Sequence, residues 1–131
     1  MKKLSAKNAF ELSNAFGELS ASLNNYLFSP QIKLTKNQKA DIESCTWSLL
    51  NASADIRTFA VDLQLDESKL SFEKLLDTTA QARDTIRQLT NIRKVIVIST
   101  AAVSLAGAII SQRPGAIIDT TEALYKAIIK A

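Results

Sequence analysis

The chain has 131 residues, of which 47% are apolar and 22% charged, and carries a formal net charge of +3. That suffices for one packed domain and excludes a disordered tail or a dense basic arm. Three Gly and two Pro are too few for a many-stranded sheet, histidine is absent and cysteine occurs once. Ser-His and Cys-His nucleophile pairs, most zinc and haem sites and an internal disulfide are therefore excluded. The first residues lack an apolar leader run, so a reducing, cytoplasmic setting is the expectation.

Periodicity predicts helices throughout. The first predicted helix spans residues 5–27, with a seven-residue apolar repeat through Ala9, Leu12, Phe16, Leu19, Leu23 and Tyr26. Gly17 interrupts it at a cost of about 1 kcal/mol relative to Ala, and Ser29-Pro30 stops it. The second spans residues 35–65. It opens on a capping box, Thr35-Lys36-Asn37-Gln38, and its seam runs Ile42, Cys45, Leu49, Ala52, Ile56, Phe59, Leu63.

A third helix is predicted over residues 68–112. Leu75, Ala82, Leu89, Ile96, Val103 and Ile110 fall seven apart without slip, which reads as one continuous rod. A fourth is predicted over residues 116–130, with Asp119 and Glu122 early and Lys126 and Lys130 late, as the helix dipole favours. The expected fold is all-α: an antiparallel bundle with coiled-coil-like heptad seams, three long helices and a shorter C-terminal one, in a single domain over residues 1–131.

Within the third helix, Val95 to Ser111 carries no charge. This apolar half, about 26 Å long, is near the lower limit for crossing a bilayer, and Arg93-Lys94 and Gln112-Arg113 frame it. If the rod is straight, the second helix covers it only to about Ser99, leaving an overhang on the order of 18 Å. A break near Ser99-Thr100 would remove that overhang by folding the apolar half back.

The expected contact residues of the resulting C-terminal hairpin are Ile96, Val103, Leu105, Ile109, Ile110, Ile118, Tyr125 and Ile129. Removing eight such side chains from water is worth on the order of 10–20 kcal/mol before ordering costs. A second candidate contact lies on the second helix, where Trp47, Leu50 and Val61 sit off the main seam with the composition of an interface anchor.

No catalytic, cofactor-binding or metal-ligating set emerges. The acidic pairs Asp41/Glu43, Asp62/Asp66 and Asp66/Glu67 read as solvated faces and a helix start, and Cys45 lies on a core seam. Arg83, Arg87, Arg93 and Lys94 are too scattered for a nucleic-acid stripe. The expectation is a non-enzymatic interaction protein without cofactor or small-molecule substrate. It acts through its apolar C-terminal hairpin on a membrane surface, in a bilayer as a single pass through Val95–Ser111, or on a second copy. The alternative is a soluble inhibitor or adaptor, of the immunity-protein or antitoxin type, that binds a protein partner through the Trp47 face.

Overall fold

The computed structural model describes residues 2–59 and 63–131. The fold is all-α, with five helices among the described residues: α1 (Ala6–Leu27), α2 (Lys36–Thr58), α3 (Phe72–Gln88), α4 (Ile92–Ile110) and α5 (Pro114–Ile129). Two short extended pieces, β1 (Lys2–Lys3) and β2 (Gln64–Leu65), pair antiparallel with Lys2 opposite Leu65.

Helices α1 to α4 each start where the sequence supplies a side-chain acceptor for an orphan backbone N–H. Ser5 caps α1 by accepting from the Asn8 N–H at 3.0 Å. Thr35 and Gln38 close the expected reciprocal box on α2, at 3.0 and 3.1 Å. Ser71 caps α3 at the Lys74 N–H, and Pro114 opens α5 at its first turn, where its missing N–H costs nothing.

Around the bundle, α1 packs between α2 and α3, α2 lies against α4, α4 against α5, and α5 returns to α3. The core they enclose takes Leu12, Phe16, Leu19 and Leu23 from α1, Ile42, Leu49 and Ile56 from α2, and Leu75 and Ile86 from α3. Ile98 and Leu105 of α4 and Leu124 of α5 complete it, all buried. The expected seam of the first helix is thus the buried face of α1.

The rod expected over residues 68–112 is not continuous. It stops at Leu89, whose backbone is extended (φ −83°, ψ 138°), and restarts at Asn91, whose side chain accepts from the Lys94 N–H at 3.2 Å. Asn91 is the capping residue that the unbroken seven-residue spacing conceals. Two helices that both turn an apolar face inward can keep that spacing across a non-helical joint. The joint lies about ten residues before the Ser99-Thr100 break weighed from sequence. Its consequence is the same: the apolar half folds back, and the inferred overhang does not exist.

The second helix also ends early, at Thr58 rather than residue 65. Leu63 and Leu65 are buried all the same, on an extended connection held by the Leu4 N–H donating to the Leu63 carbonyl at 2.9 Å. Just past the end of α4 stands Gln112, a non-glycine residue at φ 56°. There the Gln112 and Arg113 N–H groups donate back to the Ile109 and Ala108 carbonyls, in the manner of a Schellman motif.

Candidate functional site

α1 and α2 are joined by small polar side chains. Ser13 Oγ donates to the Ser53 carbonyl and Ser53 Oγ to the Ser13 carbonyl, both at 2.7 Å. Ser20 Oγ donates to the Thr46 carbonyl at 2.8 Å. These pairs fix the helices as antiparallel neighbours and hold them close. At Gly17 a Cβ would stand only 3.2 Å from Ser53 Oγ, so the apparent blemish in the first helix lies where the second one is in close contact.

Because the two backbones lie close, their outer flanks form the walls of an open groove of about 530 Å³. Gly17, Ser20, Ala21 and Asn24 line its α1 side, with Phe28 at one end, and Glu43, Trp47 and Leu50 line its α2 side. The large apolar groups are turned to solvent: Phe28 is 75% exposed, Trp47 65% and Leu50 47%. Beyond the other end, Phe10 is 52% exposed, with the Arg57 guanidinium 4.8 Å over its ring and donating to Asn14 Oδ1 at 2.9 Å. No helix among the described residues covers this face. Trp47 and Leu50, expected as a contact, therefore stand together on it, whereas Val61 lies outside the described residues. Sequence reasoning missed Phe10, Phe28 and Arg57. The available signal was a second helical phase on α1, through residues 10, 14, 17, 21, 24 and 28, masked by the polar Asn14 and Asn24.

The eight residues expected on the C-terminal hairpin do not form one surface. Leu105 and Ile109 are buried in the core, Ile96, Val103, Ile110 and Ile118 are half-buried and packed against it, and only Tyr125 and Ile129 are exposed. Ile96 and Val103 border a shallow cleft between α2 and α4 with Asp41, Cys45 and Thr100. α4 is long and apolar enough to cross a membrane by composition alone. Eight of its residues, Val95, Ile98, Ser99, Ala102, Leu105, Ala106, Ala108 and Ile109, are nonetheless buried inside the protein.

Two of the cations noted from sequence have local partners. Arg83 bonds Asp84 and Glu18, and these carboxylates, Asp84 foremost, raise its pKa. Arg87 Nε donates to Ser22 Oγ at 3.0 Å, so two of the four scattered cations serve the bundle's own surface. Burial pushes the Cys45 thiol above the usual range, opposed by a hydrogen bond with Thr100, which leaves it a poor nucleophile. Burial likewise raises Tyr26, whose hydroxyl finds no hydrogen-bond partner among the described residues. Among the described residues no three His, Cys, Asp or Glu side chains converge to hold a metal ion. Comparison with protein-family models, with curated proteins and with solved structures finds no match.

Proposed function

We propose that this chain is a non-enzymatic helical interaction module that binds protein through the groove between α1 and α2. The observation that carries this reading is the exposure of Phe28, Trp47 and Leu50 along one groove. Scattered exposed apolar side chains are ordinary on a monomer, but a contiguous set with Trp at its centre is the composition of a contact anchor. The groove suits an amphipathic helix presenting residues at three- and four-residue steps. The seams of α1 and α2 are read as coiled-coil-like, and a further helix extends the same packing outward.

The test is site-specific photo-crosslinking in the host cell. A crosslinking side chain at Leu50 gives a discrete adduct, whereas the same group at exposed Gln81 on α3 gives none. A Leu50 variant that yields no adduct, with the protein folded and expressed, overturns the reading.

A second reading has its own observation. Val97 and Ile129 are 57% and 62% exposed, and Arg93, Lys94, Val97 and Lys130 line one shallow patch where α4 begins and α5 ends. Apolar tips framed by cations suit peripheral contact with an anionic membrane surface. Flotation with anionic vesicles that is lost in Val97→Asp supports it; no flotation of the unaltered protein removes it.

A further inference from the structure

We infer that the occupant of the α1–α2 groove is the same face of a second copy of this chain, turned end for end about a two-fold axis at right angles to the helices. This rests on the groove being a contact surface at all, as proposed above.

The argument comes from the order of residues along the face. Along this flank of α1 run the exposed Phe10, Asn14, Ala21, Asn24 and Phe28, with half-buried Gly17 between Asn14 and Ala21, an order that reads nearly the same in both directions. Antiparallel pairing of α1 with its counterpart sets Phe10 on Phe28, Asn14 on Asn24 and Gly17 on Ala21. Aromatic pairs then close both ends, amides meet amides, and the two smallest residues meet in the middle, where the backbones must approach most closely.

The outward residues of α2 are Glu43, Trp47, Leu50, Ala54 and Arg57, acidic at one end and basic at the other. The Ser20–Thr46 and Ser13–Ser53 bonds place the middle of the α1 series, at residue 19, level with Trp47. The same axis therefore lays Trp47 of each copy against Trp47 of the other. It also brings Glu43 of each copy toward Arg57 of the other, about 9 Å apart along the helix axis, a gap that the two long side chains span together. Each end of the assembly becomes a cluster of Phe28 and Glu43 from one copy with Phe10 and Arg57 from the other. A two-fold axis parallel to the helices lacks this match, because it leaves Glu43 beside Phe28 with no cation.

The size is adequate. Residues 10–28 span about 27 Å of α1, and two helices side by side are about 20 Å wide, giving roughly 540 Å² per copy and about 1,100 Å² in total. That clears the approximately 1,000 Å² expected of a specific interface and falls in the class of weak, transient contacts, below the roughly 1,200 Å² at which stable ones begin. A reversible, micromolar dimer follows.

The experiment is sedimentation velocity of the full chain from about 5 to about 200 µM, a range that brackets micromolar affinity, alongside emission of Trp47, the one tryptophan. The unaltered protein shows a concentration-dependent dimer with a blue shift of Trp47. Glu43→Arg and Arg57→Glu, both at exposed positions, each weaken the dimer by about ten-fold or more; because Arg57 also holds Asn14 and Phe10 of its own copy, circular dichroism and the thermal midpoint check that each variant is folded. An equimolar mixture of the two variants restores it, because every end pair is again of opposite charge, and the double variant E43R/R57E dimerises by itself. A monomer across the whole range, or a mixture no better than either variant alone, overturns the inference. A monomer that still crosslinks from Leu50 to a different protein leaves the interaction-module reading standing. Absence of both dimer and adduct removes the two together.

Discussion

Truncating Leu105 tests where the apolar half of the sequence lives. The side chain is fully buried at the middle of α4. Leu105→Ala removes three carbons, worth about 2.4 kcal/mol at roughly 0.8 kcal/mol each. The cavity left behind brings the expected loss to about 3–4 kcal/mol. Against a total stability on the order of 5–15 kcal/mol, this lowers the thermal midpoint by about 10–15 °C for a domain of this length. Val97→Ala, on the same helix but 57% exposed, costs at most about 0.5 kcal/mol. The assay is thermal and urea unfolding of both variants in plain buffer, without lipid or detergent. Were α4 the exposed continuation of a straight rod, the two substitutions would be equally mild. Equal mildness therefore refutes the folded-back arrangement.

Three further outcomes follow from the geometry. Gly17→Ala should forfeit the roughly 1 kcal/mol that alanine gains in a helix, because the new methyl meets Ser53 Oγ at 3.2 Å. With Ser53→Ala already in place the gain returns, and urea unfolding of the four proteins reads a coupling of at least about 0.5 kcal/mol. Gln112→Gly should stabilise by roughly 0.5–1 kcal/mol, since Gln112 sits at φ 56°, where a side chain is penalised and glycine is not; the thermal midpoint measures it. The Cys45 pKa is raised by burial, so the folded state holds its proton more tightly than the unfolded state. The resulting stabilisation is complete below the ordinary thiol range and is lost as pH rises through the folded pKa. Urea midpoints of the unaltered protein and Cys45→Ala should therefore diverge only on the alkaline side. Iodoacetamide labelling of the native thiol should lag that of free cysteine throughout.

Much of the helical framework was legible because its signals are local. Ser5, Thr35 with Gln38, and Pro114 each act on backbone groups within one turn, and the seam of α1 is set by its own spacing. What escaped depends on tertiary choice. A seven-residue apolar spacing cannot distinguish one long helix from two helices that both face the same core, so Leu75 to Ile110 read as a rod. Only the Asn91 side chain on the Lys94 N–H marks the joint. Asparagine serves as an exposed helix residue and as a cap, and the packing of α4 against α2 and α5 selects the cap. The groove was half legible for a related reason. Trp47 and Leu50 drew notice by composition, but their α1 counterparts Phe10 and Phe28 alternate with Asn and small residues, a pattern that reads as a solvated flank until the neighbouring helix is placed beside it.

The fold-back of α4 also changes which apolar side chains remain to be covered. With Ile98, Leu105 and Ile109 inside, the largest exposed apolar groups that share a surface are those of the α1–α2 groove, at the opposite end of the sequence from the expected hairpin. Stability and assembly should therefore separate by position. Leu50→Ala, at a site 47% exposed, should change the unfolding midpoint by no more than about 0.5 kcal/mol while weakening association or crosslinking through the groove several-fold. Leu105→Ala should do the reverse at any temperature where it remains folded. If Leu50→Ala loosens the fold as much as Leu105→Ala, the groove is part of the core and not a contact surface. If Leu105→Ala abolishes association while the protein stays folded, the binding surface lies on the C-terminal hairpin instead.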